Sequence, residues 1–438
     1  MDLSSRRNFS ISFKSSFLKN LSLCVCNCLI ITILLFHNEI QAQSKSAVII
    51  DVAKAIGSEK KDFLSNYAKD IQYIPLETRK EALIKNIRGV VVEKDKIYIN
   101  SDAKSILIFD IKGKFLGKVD KCGRGPQEYI SISSFQVDPV TGSILILSNQ
   151  GIIEYDITGN MIKKIDKIRD ATRLETFLKV KDDLFLLSWT KDSLKNGEML
   201  LLNKYSVLYK DGTLKNFGTY PARGTDVSNS ANKIKTIVYH TDSYHFYKYG
   251  DNIRAVRSYS DTIIGIDFKF NISPEYIFKY GKFGYKEYDY SDAFKIDADS
   301  KIITKSTPLF ETPNFIFIRF QFRGLDPEPY ETTQTYQNGS VHTSKHTEVN
   351  AIFNKKSKEL ILLKRPEKEK IGLIDNIKNG PPFWPKSINS KNDLISYISA
   401  SDMIKHIAKV SGDVSKIKNI TTNLSEEDNP VVIIAVPK

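Results

Sequence analysis

Between Asn86 and Tyr155 the apolar residues come in short runs broken by polar turns. VVVEKDKIYIN, SILIFDIKGKFLGKV, FQVDPVTGSILILS and GIIEYDITGNMIKKI are rich in β-branched and aromatic residues, and none continues at helical spacing. This pattern predicts strands of sheet, not helices.

Two of these segments are copies of one unit. SILIFDIKGKFLGKV begins at Ser105 and GIIEYDITGNMIKKI at Gly151, 46 residues later, so that Asp110 aligns with Asp156 and Gly113 with Gly159. In each, a strand ends in Asp-x-x-Gly: the Asp accepts local amides and the Gly tolerates the positive φ that reverses the chain. SVLYKDGTLKNFG, with Gly212 at the turn, is a third copy. A period of this size with about four strands per unit predicts the blades of a β-propeller, whose apolar faces only neighbouring blades can cover. Looser strand pairs follow in NIRAVRSYSDTIIGIDFKF, FIFIRFQFRG, VNAIFNKKSKELILLK and NDLISYISA, and Asn338-Gly339 marks a hairpin. The expected architecture is all-β: a six-bladed β-propeller over 70–438. Asp70–Glu77 and Val431–Val436 are the strands expected to share the closing blade. A partly helical lead-in is expected over 44–69, and a helix in SDMIKHIAKV from its Met403, Ile404, Ile407 and Ala408 spacing.

The first 43 residues fall outside that pattern. Arg6, Arg7, Lys14 and Lys19 precede the apolar run Leu21–Phe36, and a polar patch then offers Ala42 as a small residue for cleavage. This is the order of a secretory signal peptide, and the run is shorter than the roughly 20 residues of a spanning helix. The chain is therefore expected to be exported to the periplasm, the cell surface or beyond, with no transmembrane segment once the leader is removed. Cys24, Cys26 and Cys28 follow Leu23, Val25 and Asn27, not the small residue of a lipid-anchor site. Only Cys122 remains after the leader, so core packing, not an internal disulfide, must stabilise the fold.

The chain carries a formal charge of +13, which falls to about +11 without the leader's four basic and two acidic residues. The positive charges are dispersed along the strands and read as a solvated basic surface. A nucleic-acid partner is excluded by export, and the expected partners are carbohydrate, peptide or an envelope protein. No cofactor is expected, and the chain reads as a monomer.

The runs YIPLETRKEALIKNIRGVVV, ILIFDIKGKFLGKV and GRGPQEY resemble a six-bladed β-propeller family of secreted and lipid-anchored Bacteroidetes-type proteins. SDTIIGIDFKFNISPEYIFKYGKF, GLIDNIKNGPPFWPKSI and EEDNPVVIIAVPK extend the likeness over nearly the whole exported part. The family is similar to NHL-repeat propellers, and the resemblance implies NHL-like four-stranded blades. It implies no defined activity. Gln127 stands where the family's glycine follows GRGP, and the leader lacks the lipobox of many members.

Four groups of residues are candidates for chemistry. In GRGPQEY, Arg124 and Glu128 have the polarity to hold a ligand and Tyr129 the ring to stack on it; equally, the loop is the joint between two blades. It has no third glycine at dinucleotide-binding spacing. In NGPPFWPKS, Phe383 and Trp384 between prolines read as an exposed aromatic shelf for sugar or peptide, with Asp375 and Asn376 upstream for polar contacts; they read equally as an inter-blade filling. Arg254 and Arg319 sit within apolar strand patterns and point either into the central channel, favouring an acidic ligand, or to water at a blade edge.

The histidines are weaker candidates. His342 and His346 lie about 13 Å apart if the segment is a strand, and His240 and His245 flank Asp242. There is no G-x-S-x-G elbow, and Asp182-Asp183 reads as a hairpin turn. The expected function is that of a non-catalytic binding or interaction module at the central-channel face. The alternative is an NHL-like hydrolase or lyase with a metal-assisted site at the channel mouth.

Overall fold

The computed structural model describes residues 46–438 except 167, 182–183, 196–197, 210, 222, 227–236, 241–243, 258–259, 285–300, 337–338, 368–369 and 411–412; the side chains of 193–200, 220–226, 237–240 and 421 also fall outside the description. Among the described residues six sheets of four principal strands follow one another around a ring, giving a six-bladed β-propeller. Blade 1 is Ile87–Glu93, Lys96–Ser101, Ser105–Asp110 and Phe115–Val119; blade 2 is Ser134–Val137, Ile144–Ser148, Gly151–Tyr155 and Met161–Asp166. Blade 3 is Arg173–Lys181, Leu184–Lys195, Glu198–Leu208 and Leu214–Pro221; blade 4 is His245–Tyr249, Asn252–Val256, Thr262–Ile266 and Ile272–Lys279. Blade 5 is Ile302–Lys305 (continued by Phe310–Glu311), Phe315–Arg323, Glu348–Asn354 and Glu359–Leu362. Blade 6 joins Ser387–Ile388, Leu394–Ile398 and Val431–Pro437 to Ala68–Pro75 from the other end of the chain. The closing blade is thus built from the two strands that the sequence singles out for it.

Alternation along each strand explains the stacking. In blade 1, Val90, Val92, Ile97, Ile99, Leu107 and Phe109 pack with Ile395, Val432 and Ile434 of blade 6. Tyr98, Ile106 and Ile108 point the other way and pack with Ile144, Ile146 and Ile153 of blade 2. A strand buried on both faces must be apolar throughout, which is why ILIF reads as an unbroken run. The first strands of blades 6, 1, 2, 3 and 4 lie each against the next along the inner ring.

The repeated turn recurs in four blades. Gly113 N–H donates to Asp110 O (3.0 Å), Gly159 to Asp156 (3.1 Å) and Gly212 to Tyr209 (3.0 Å). In blade 4 the same bond runs from Phe270 to Asp267 at 2.9 Å, and Phe270 holds φ +63° where its counterparts are glycine. Asp267 there accepts from the amides of Lys269 and Asn271, so the turn is kept by the Asp after its glycine has gone.

The lead-in is a strap more than a helix. Val48–Asp51 pairs in parallel with Ile272–Lys279 as a fifth strand of blade 4, and only Val52–Ala55 and Leu64–Asn66 are short helical turns. Lys60 then bridges to Leu363 beside the outer strand of blade 5, and Ala68–Pro75 is the outer strand of blade 6. The segment therefore covers the outer edge of three consecutive blades, edges that would otherwise present unpaired backbone. The helix in SDMIKHIAKV is Ala400–Lys409, capped by Ser399, whose Oγ accepts from Asp402 N–H at 3.0 Å. Among the described residues no helix is long and apolar enough to cross a membrane.

Candidate functional site

Strand direction sorts the connections onto two faces. In each blade, the links from the first to the second strand and from the third to the fourth lie at one face, and in the described parts they are short turns. The other face carries the links from second to third strand and from blade to blade. There lie the GRGPQEY loop, the long Leu184–Lys195/Glu198–Leu208 hairpin, the hairpin of Arg223–Asp226 with Ile237–His240, the hairpin of Tyr330–Thr335 with Val341–His346, residues 363–367 and 370–386, and the helices Ala400–Lys409 and Ser415–Thr421. This insertion face, and the inner-ring residues that open onto it, is the candidate site.

GRGPQEY is a closed joint there. Glu128 Oε2 accepts from Gly125 N–H at 2.6 Å, and Tyr129 donates its hydroxyl to Lys104 O at 2.9 Å while remaining wholly buried. Tyr129 meets Tyr155 of blade 2 edge-on at 6.2 Å, and Tyr155 OH donates to Gln127 O at 2.8 Å. A Cβ on Gly123 would lie 2.0 Å from Glu128 Oε2, so a side chain there would displace that carboxylate. Arg124 is exposed and has no ion pair among the described residues.

The expected aromatic shelf is a buried wedge. Phe383 is fully buried and Trp384 only 6% exposed, with Trp384 edge-on to Phe317 at 5.8 Å between blades 5 and 6. The three prolines fix that wedge in place instead of offering it to solvent. Asp375 is buried too and accepts from Tyr73 OH (2.7 Å) and Gly380 N–H (2.8 Å). Asn376 ties down the strap, accepting from Ser65 N–H (3.1 Å) and donating to Ser65 Oγ (2.9 Å).

Arg254 takes neither of its two expected directions. It lies in an interior strand at 4% exposure, with Nη1 3.2 Å from Glu275 and Nε 3.6 Å from Glu311. Glu311 also accepts from Tyr247 OH (2.9 Å), Tyr276 OH (2.9 Å) and Lys355 Nζ (2.8 Å), closing a polar knot between blades 4 and 5. Burial and then the Glu311 charge push both tyrosine hydroxyls well above their ordinary range. A second knot links blades 2 and 3: Lys179 Nζ lies 2.7 Å from Asp138 and 3.5 Å from Glu154. Burial works to raise the Asp138 carboxyl, but the Lys179 ammonium and the amides of Thr141 and Val140 together hold it below its usual value. Neither knot is visible in local sequence, because each partner comes from a different strand.

Arg319 differs. It is half-buried, donates Nε to Asn350 Oδ1 at 3.1 Å, has no ion pair among the described residues, and burial lowers its pKa. Lys386, which the sequence reading passed over, lies just before the first strand of blade 6. It is exposed, with Nζ 3.5 Å from the centre of the Tyr397 ring, and partial desolvation, then the charge of Arg319, push its ammonium down to about 8. On other inner strands burial raises the Glu175 carboxyl and pushes the His245 imidazole down to about 4. His346 stacks on Tyr330 at 4.5 Å, and His342 lies in the same strand, where even spacing does not bring the two rings together. The side chain of His240, with Asp182, Asp183, Asp242 and Asn338, lies outside the described residues. Among the described residues no three His, Cys, Asp or Glu side chains form a metal-binding group.

Six four-stranded blades, a ring closed by pairing Ala68–Pro75 with Val431–Pro437 and a face of insertions define a six-bladed β-propeller. The model of a domain of unknown function, DUF4934, matches residues 47–436, and the chain belongs to that family. No curated protein matches. Among solved structures, the chain is similar to a protein of Bacteroides fragilis NCTC 9343 described as exported, at 15% identity and TM-score 0.62, over 89% of this chain and 99% of that one. It is also similar to a DUF4221 member from Bacteroides vulgatus ATCC 8482, at 14% identity and TM-score 0.46, over 84% and 96% of the two chains. A third likeness is the extracellular domain of a hybrid two-component system of B. thetaiotaomicron, at 10% identity and TM-score 0.36, over 83% and 40%. At these identities the likeness concerns the fold.

Proposed function

We propose that this chain is an exported, non-catalytic binding module that takes a carbohydrate or peptide on its insertion face. The observation that carries the reading is the sorting of connections: the long excursions gather on one side of the ring, around the inner-ring residues, while the described links of the other side are short. Binding residues concentrate on loops held by a rigid scaffold, and a propeller supplies that scaffold. Export is supported by the basic-then-apolar leader and by the likeness to the B. fragilis protein described as exported.

The test is array binding, with glycans and peptides, of the exported chain and of a variant in which 331–345 is replaced by a two-residue turn. Loss of binding in the folded variant supports the reading; unchanged binding by a variant of unchanged stability sends the ligand elsewhere. A second reading, a hydrolase or lyase at the channel mouth, rests on Glu175 and His245. They lie on adjoining first strands and are shifted toward a protonated carboxyl and a neutral imidazole, as acid–base partners would be. Loss of turnover in Glu175→Gln against a polysaccharide panel would favour it.

A further inference from the structure

We propose that the hairpin of Tyr330–Thr335 with Val341–His346 takes an extended peptide as a third strand, held by backbone hydrogen bonds along the free edge of Val341–His346. This deepens the binding reading given above and rests on it.

The hairpin is a sheet of two strands only, paired from Tyr330↔His346 to Thr335↔Val341. Glu331 to Tyr336 and Gly339 to Thr343 are exposed without exception. Two strands with no core beneath them are marginal in water, and a third supplies pairing that they lack.

The pairing turns half of the backbone groups outward. Tyr336 N–H donates to Ser340 O at 2.8 Å and Gly339 N–H to Tyr336 O at 2.9 Å, which closes the turn. Counting from there, Gln334 with His342, Thr332 with Ser344 and Tyr330 with His346 exchange their bonds inward. The N–H and C=O of Glu331, Thr333 and Thr335 therefore point out along one edge, and those of Val341, Thr343 and Lys345 along the other. Thr333 Oγ1 lies 3.4 Å from Thr343 Oγ1, as the close approach of such a pair allows.

Other edges of the molecule are blunted. The outer strands of blades 1, 2 and 3 each pair with a break in register, and the strap covers the outer edges of blades 4, 5 and 6. This hairpin pairs without a break and, among the described residues, carries no cover. The other two-stranded hairpin, Arg223–Asp226 with Ile237–His240, is shorter. Pro329 ends the ladder beside Glu331, because it has no N–H to offer; the Val341–Lys345 edge has no such stop. A row of outward donors and acceptors at strand spacing is complementary to an extended backbone, which makes the ligand a peptide. Val341 and Thr343 favour β-branched side chains beside them, and Lys345 an acidic one.

The experiment begins with a phage-displayed library of random peptides. It is selected on the exported chain and counter-selected on the form with 331–345 replaced by a two-residue turn. The enriched peptide is then synthesised with N-methyl groups at alternate residues, in two complementary series. One series is expected to lose about tenfold or more in affinity and the other to keep it, since only one edge of an added strand meets the hairpin. Amide exchange is expected to slow at Val341, Thr343 and Lys345 and to stay unchanged at Glu331, Thr333 and Thr335. Thr343→Pro removes an outward N–H and no bond of the hairpin, so it should weaken binding by a similar factor, and Thr333→Pro should not. Equal behaviour of the two N-methyl series overturns the proposal, as does slowing at neither trio or at the Glu331 trio instead. Should a proline unpair the hairpin, the N-methyl series decides alone. No enrichment over the counter-selected form overturns it too, as does a dimer of the free chain that Thr343→Pro dissolves, which would put a second copy on the edge. Binding of glycans alone, dependent on the hairpin, would sustain the binding reading and sink this one, so the two fail separately.

Discussion

Lys355 places its ammonium 2.8 Å from the Glu311 carboxylate in a seam where the Glu311 side chain has no exposed surface. That carboxylate is also the acceptor for two tyrosines of the neighbouring blade and lies against Arg254. Removing its charge leaves the half-buried Lys355 without its carboxylate and Arg254 with Glu275 alone, a loss of about 3–5 kcal/mol. Glu311→Gln is expected to lower the urea midpoint accordingly. A variant within about 1 kcal/mol of the parent would mean that the knot contributes little beyond packing.

The blade 1–2 joint gives a prediction about space. Gly123→Ala puts a methyl group into the Glu128 carboxylate and should break its bond to Gly125 N–H. The double variant Gly123→Ala, Glu128→Ala removes the clash and should recover part of the lost melting temperature. Additive losses in the two single variants would show that backbone conformation, not the carboxylate, is what the glycine serves.

Trp384→Ala is expected to destabilise the protein by about 3–5 kcal/mol, the range for a large aromatic removed from a core. The residue therefore reports on folding, and a binding assay with this variant is informative only beside a denaturation curve. A loss below about 1 kcal/mol would contradict its place as a wedge.

His245 sets a pH window. Its pKa is lowered from the ordinary value near 6.5 to about 4, so between those values the unfolded chain binds more protons than the folded one. Stability should fall as pH drops from 6.5 towards 4 and level off below. In His245→Gln that component should be absent; a parent-minus-variant difference that stays constant across the window would remove His245 as its source.

Ile50, fully buried in the strap, is expected to cost about 2–5 kcal/mol on truncation to alanine. Amide exchange should quicken along Tyr276–Lys279, the partners of Val48–Asp51. Unchanged exchange there would mean that the fourth blade keeps its edge without the strap.

The propeller was legible because its signal is repeated. Asp110 and Gly113 returning as Asp156 and Gly159 report a turn that any copy must keep, and the apolar runs report blades buried on both faces. Phe270 escaped that reading, since nothing local marks a phenylalanine as occupying a glycine's backbone position. The candidate site was far less legible. Exposure of Trp384 depends on what blade 5 lays against it, and the fate of Arg254 on Glu275 and Glu311 in other strands. Lys386 drew no notice, because only the fold lays its ammonium over the Tyr397 ring.

Blade 6 takes its outer strand from Ala68–Pro75 and its other three from the end of the chain. The first blade strand made therefore waits, unpaired along its hydrogen-bonding edge, until Val431–Pro437 arrives. Closure of so long a loop comes late and makes the ring cooperative: no blade can lose its neighbour while the clasp holds.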